Sequence, residues 1–215
     1  MNSIFGIDNP VWNFIGKLAD MMLLTIVWAV CSLPIVTIGA STTALYYVML
    51  KLAEDKEGSI FQSFFRAFRE NFKQATVCWL IMLVFGGVLA GDFVICWMLR
   101  EVSAAKILMV VFVVLAVVYA LILNGLFPIL ARCEASTQKV FYLSFMMGVK
   151  QFGWTILMLV IAGTIFAIGI FVQWLFLFLS VGLTAYLQSL IWKHIFALYH
   201  LELPDTEDGD YVIPY

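Results

Sequence analysis

The residues able to do chemistry in this chain are few, and most fall in one stretch. Over 32–43, Pro34 removes a backbone donor and frees a carbonyl, Gly39 bares the backbone, and Thr37, Ser41, Thr42 and Thr43 supply hydroxyls. A helix broken in this way could hold a small polar ligand or a partner helix. The same residues also suit a structural role, in which hydroxyls bond back to helix carbonyls and small side chains let helices approach. Both readings stay open.

Other reactive groups are scattered. Asp20 and Asp92 are the acidic residues next to the apolar runs, and ionisable groups at that depth are functional suspects. Lys17 lies three residues before Asp20 on the same helix face, and Gly91 precedes Asp92, so both also fit a membrane boundary. Asn124, followed by Gly125 and Pro128, suits an interhelical hydrogen bond beside a turn. His194 and His200 are six residues apart, which does not place them on one helix face, and no zinc-protease glutamate accompanies them. Cys31, Cys78, Cys96 and Cys133 form no Cys-x-x-Cys pair, so they read as packing residues. A P-loop, a Gly-x-Ser-x-Gly elbow and carboxylates paired for acid and base work are all missing. We therefore expect no catalytic residue, no metal and no cofactor.

The elements that must position these residues are helices in a bilayer. Hydrophobic residues make up 64% of the 215 and charged residues only 12%, about half the charged fraction usual in a soluble domain. Segments 21–50, 74–91, 107–131 and 151–192 hold no Asp, Glu, Lys or Arg. About 20 apolar residues cross a bilayer core, so each run accommodates one span and the last accommodates two. None alternates with the period of two that a membrane barrel requires, and helices alone then satisfy the backbone. The expected fold is all-α: a polytopic transmembrane bundle of five to six membrane segments. Its apolar N-terminal stretch exceeds the length of a cleavable signal.

Pro34 and Gly39 break the first run into a hairpin with arms at 12–33 and 35–52, the second short enough to be re-entrant. An amphipathic helix is expected at 59–72. Phe61, Phe64, Phe65, Phe68 and Phe72 form one stripe, and Gln62, Arg66, Arg69 and Lys73 form another. Ser59 and Gln62 have capping-box spacing. That helix suits either the membrane interface or the end of the bundle. Spans follow at 74–99, 107–131, 152–172 and 175–198, which makes 1–202 one transmembrane domain. Segment 203–215 is acidic, with Asp205, Glu207, Asp208 and Asp210, and reads as a flexible solvated tail. That charge balance argues against nucleic acid as a partner.

Basic residues set the orientation. With both termini on one side, that side carries ten of the twelve Lys and Arg residues and the other only Arg100 and Lys106. The positive-inside rule then puts both termini in the cytoplasm of a multi-pass cell-membrane protein. A shift of 77 positions also aligns 64–74 with 141–151, matching Phe64, Phe68, Lys73 and Gln74 to Phe141, Phe145, Lys150 and Gln151. Each segment precedes a two-span hairpin, as in a parallel duplication, although apolar helices also resemble one another by chance. Lys73 and Lys150 would both anchor at the interface by snorkelling.

Asn9, Pro10 and Trp12, then Asp20, then Trp28 and the run Cys31-Ser32-Leu33-Pro34-Ile35-Val36-Thr37-Ile38-Gly39-Ala40 through Tyr46 resemble the YesL-like family of bacterial membrane proteins. The segment 64–76 looks like a second hallmark of that family. The resemblance covers about the first third of the chain and implies no particular reaction. It implies a setting beside bacterial carbohydrate import. Three readings follow: an accessory or regulatory protein contacting a sugar ABC transporter permease through the helix at 59–72 or the broken hairpin, a facilitator for a small neutral solute, and a lipid-binding organiser of the bilayer working through Arg66, Arg69 and Lys73.

Overall fold

A computed structural model describes residues 10–54, 58–99, 103–172 and 174–199. His200 and the acidic segment 203–215 lie outside the described residues. The chain folds as α1 (Pro10–Cys31), a short 3-10 turn (Ile35–Thr37), α2 (Ile38–Ala53), α3 (Ile60–Met98), α4 (Ser103–Arg132), α5 (Thr137–Lys150), α6 (Phe152–Val172) and α7 (Trp174–Leu198). Among the described residues there is no strand, and the architecture is an all-α bundle. Four stretches, Ile35–Ala53, Ile60–Met98, Ile107–Arg132 and Phe152–Gly169, are long and apolar enough to cross a membrane. This is consistent with a multi-pass membrane protein.

Around Pro34 the chain stops being helical for the reason the sequence suggests. α1 ends at Cys31, before the expected 33, because the residue preceding a proline is pushed out of the α region. α2 resumes at Ile38 and is only 16 residues long, about 24 Å, less than the roughly 30 Å hydrocarbon core. Its residues from Gly39 to Leu50 are buried on nearly every face, except Thr42. A helix that is apolar all round belongs inside a bundle, and α1, α3, α4 and α7 enclose this one.

Two expected breaks are not there. The helix expected at 59–72 and the span expected from 74 form one 39-residue helix, α3, about 58 Å long. No proline or glycine lies between Ile60 and Phe85, so nothing in the backbone turns the helix at Lys73 or Gln74. An interfacial helix lying apart from the span is thereby corrected to the first half of one rod. Ser59 does stand at its N-cap, but with no side-chain capping bond, so the capping box is not made. α4 likewise runs through Pro128 to Arg132 without the turn expected beside Asn124. Pro128 costs one helical bond, and the packing of α5 and α2 on this half of α4 keeps the helix whole.

The two aligned segments behave differently. Helix continues through Lys73 and Gln74, whereas α5 stops at Lys150 and Gln151 adopts φ −106° and ψ 38°. There the Gln151 amide donates to Met147 O, and its carbonyl accepts from the Thr155 amide and hydroxyl. One residue closes α5 and opens α6.

Candidate functional site

The hydroxyls of the broken hairpin are spent inside it. Thr37 Oγ1 shares its single proton between Cys31 O at 2.6 Å and Pro34 O at 2.7 Å, and the Thr37 amide also donates to Pro34 O at 2.9 Å. Ser41 Oγ lies 2.6 Å from Ser32 Oγ and within reach of Thr37 O and Ile38 O. Thr43 Oγ1 donates to Gly39 O at 2.9 Å, and Trp28 Nε1 donates to Thr42 Oγ1 at 3.1 Å. Each of these bonds ties one arm of the hairpin to the other or to its own helix.

Gly39 marks the closest approach of α2 to α3. A Cβ there would lie 2.5 Å from Trp79 Cβ and 2.6 Å from Ala75 O, distances real atoms do not reach. Trp79 closes the corner by donating its indole N–H to Ile35 O at 2.9 Å. The tip of the hairpin is therefore level with Trp79, nineteen residues and about 28 Å short of Met98. Leu33, Ile35 and Val36 at that tip are exposed and apolar. As a group, Pro34, Thr37, Gly39, Ser41 and Thr43 make a stapled helix corner with no polar cavity among the described pockets.

The cationic residues are spread along α3 and α5. Arg66 pairs with Glu70 one turn on, at 3.3 Å, while Arg69 and Lys73 are exposed on the same rod. Lys150 Nζ stands 5.9 Å from the Tyr199 ring. The phenylalanine stripe is divided: Phe64 is fully buried beside Ala67 and stacks on Phe68, whereas Phe61, Phe65 and Phe72 face outward. A buried ion pair fastens the same end of the bundle. Arg132, at the end of α4, binds Glu54 just past α2 and lies 4.9 Å over the Phe196 ring of α7. Lys193 Nζ donates to Ala53 O at 2.9 Å. Burial pushes the adjacent Cys133 thiol up to about 11, with the Arg132 charge pulling weakly the other way.

The remaining polar positions do not converge. Asp20 and Asp92 are half-buried on α1 and in the far half of α3, on separate elements. Asn124 Oδ1 is buried without a hydrogen-bond partner, so the expected interhelical bond is not made by that atom. The His194 ring lies 5.8 Å from the Trp154 ring and is tilted 56° to it. The four cysteines are free, and no group of metal-ligating residues comes together among the described residues.

Two features escaped sequence reasoning. Ser180, Thr184 and Gln188 recur every four residues and put a buried polar stripe on α7, in which Gln188 bonds Tyr46 OH of α2. Thr184 Oγ1, Ser189 Oγ and Trp192 Nε1 on this helix are buried with no partner. The second feature is the far half of α3. Gly86 packs against α4, where a Cβ would meet Tyr119 Oη at 2.6 Å, but Gly87 and Gly91 have nothing within 4 Å. The spacing Gly-x-x-x-Gly was visible and is the signal of a helix-packing face.

Two comparisons bear on this arrangement. Residues 21–93 match a family model described as "Protein of unknown function, DUF624", and these residues hold the second half of α1, the corner at Gly39, α2 and most of α3. The chain is 22% identical over 151 residues to the "Uncharacterized protein YesL" of Bacillus subtilis (strain 168), covering 70% of each chain. No solved structure matches the chain. The family match and the similarity to YesL together support a YesL-like family for this chain.

Proposed function

We propose that this protein is a non-catalytic accessory or regulatory component of bacterial carbohydrate uptake, held in the cell membrane with both termini in the cytoplasm. The partner in this reading is a sugar ABC transporter permease, met through the far halves of α3 and α4. The observation that carries it is the open face of that helix pair. On α3, Val84, Phe85, Val88, Val94 and Ile95 are exposed around Gly87 and Gly91, and on α4 Val110, Val113, Val114 and Val117 are exposed. Small residues on an apolar helix admit another helix at close range, where packing rather than the hydrophobic effect drives association in lipid. The carbohydrate setting rests on the family resemblance, and the orientation on the basic-residue count.

The geometry favours contact over transport. The hydroxyls of the hairpin bond within it, and its tip stops near Trp79, so 32–43 offers no polar path through the bundle. Purification in mild detergent from membranes with sugar importers induced, followed by quantitative identification of copurifying proteins, tests the reading. The matched variant is Gly87→Leu with Gly91→Leu, which alters an open face; Gly39 is unsuitable because its substitution strikes Ala75 and Trp79. A permease enriched with the wild type and lost with the variant supports the proposal. A folded wild type without a permease, or a permease retained by the variant, counts against it.

A further inference from the structure

We propose that the acidic segment 200–215 of this chain docks onto the exposed face of the first half of α3. That face is described in full. Phe61, Gln62, Phe65, Arg66, Arg69 and Glu70 line a shallow groove of about 520 Å³. Phe61 and Phe65 are 46% and 45% exposed. Their partner Phe64 is wholly buried and meets Phe65 edge-on at 5.6 Å, so the groove floor is anchored to the core.

The segment has the matching chemistry in the matching order. Asp205, Glu207, Asp208 and Asp210 come first, and Tyr211, Val212, Ile213 and Tyr215 follow. Read from Lys73 back to Phe61, α3 offers Lys73, Arg69 and Arg66, then Phe65 and Phe61. A segment laid antiparallel to α3 sets carboxylates against cations and aromatic residues against the exposed rings. Glu70 does not disturb this pairing, because Arg66 already holds it at 3.3 Å.

Reach is satisfied as well. α7 ends at Leu198, and its Phe196 ring lies beneath Arg132. Arg132 in turn lines a 320 Å³ pocket together with Glu70 and Gln74 of α3. α7 thus ends beside Arg132, whose pocket opens onto Glu70 and Gln74 next to Lys73. Extended chain covers up to ~3.6 Å per residue, so the sixteen residues 200–215 far exceed the ~20 Å rise of α3 from Ile60 to Lys73.

Zero-length carbodiimide coupling of the full chain, one copy per nanodisc of neutral lipid, tests this contact. Activated carboxylates form an amide only with a lysine amine already in contact, and peptide mapping reads which pairs join. We expect an amide between Lys73 and one of Asp205, Glu207, Asp208 and Asp210. It should fall severalfold in Arg66→Glu with Arg69→Glu, and again in 1 M salt, where the screening length shrinks to ~3 Å. Adding Asp208→Lys and Asp210→Lys to the first pair of substitutions should restore it through Asp205 and Glu207. Arg66 and Arg69 are exposed, so reversing their charge keeps the fold. Coupling of the same carboxylates to Lys193 with none to Lys73 would overturn the proposal, as would coupling at Lys73 indifferent to charge reversal. Loss of the Lys73 amide when anionic lipid replaces neutral lipid would assign the face to headgroups and overturn it too.

Discussion

Replacing Gly39 by alanine is the sharpest probe of the hairpin corner, because two effects of opposite sign meet there. In an open helix interior, glycine to alanine stabilises by about 1 kcal/mol through backbone entropy. At Gly39 the new Cβ meets Ala75 O at 2.6 Å and Trp79 Cβ at 2.5 Å, where ordinary contact begins near 3.4 Å. Ala75 O is backbone and cannot rotate away, so α2 and α3 must separate by several tenths of an ångström. Overpacking of this kind costs ~1–3 kcal/mol. The clash therefore outweighs the propensity gain, and Gly39→Ala should lose about 1 kcal/mol, with Gly39→Val losing more. Gly87 lies in the same class of apolar helix with nothing within 4 Å, so Gly87→Ala should be neutral or gain up to ~1 kcal/mol. Reversible unfolding in mixed micelles, followed by tryptophan fluorescence, measures both. A Gly39→Ala protein as stable as wild type, beside a destabilised Gly87→Ala protein, would refute the assignment of these two glycines.

Further expectations follow from the other contacts. Glu54→Gln leaves the Arg132 guanidinium buried without its carboxylate and should cost ~3–5 kcal/mol, whereas replacing both residues by apolar ones of similar size should recover most of the loss in the same unfolding assay. Thr37→Val removes the hydroxyl shared between Cys31 O and Pro34 O and should destabilise by about 1 kcal/mol, with full stability arguing against the staple. Cys133 should resist alkylation at pH 8, since its thiol is held at about 11 against an ordinary 9.0, and labelling by iodoacetamide at the rate of an exposed thiol would contradict this burial. The sign for stability follows: the contribution from that shift is fully present below pH 9.0 and is lost as pH rises through about 11.

Much of the architecture was legible because bilayer helices are written in composition. Long charge-free runs have one solution in hydrocarbon, and the ring of Pro34 removes a donor and disfavours helix at Leu33, which marks the break in the first run. Breaks that depend on packing were not legible. A change from basic to apolar residues at Lys73 looks like an element boundary, yet polarity alone does not bend a helix, and α3 passes through it. Pro128 looks like a stop of the same kind as Pro34, but only the neighbours of α4 decide that the helix continues.

The candidate site divides along the same line. By itself the sequence determined that this chain is helical, apolar and broken at Pro34, because those properties belong to single residues and their immediate neighbours. It also supplied the hydroxyls of 32–43. Which groups they bond was a matter of distances between residues apart in the chain, and the tertiary structure decided it. Trp79 reaches Ile35 across 44 positions, and Gly39 has no room for a side chain because Ala75 and Trp79 lie against it. Gly86 and Gly87 are identical neighbours in sequence, one pressed on Tyr119 and the other open, because consecutive helix positions point about 100° apart and only one of them can face α4.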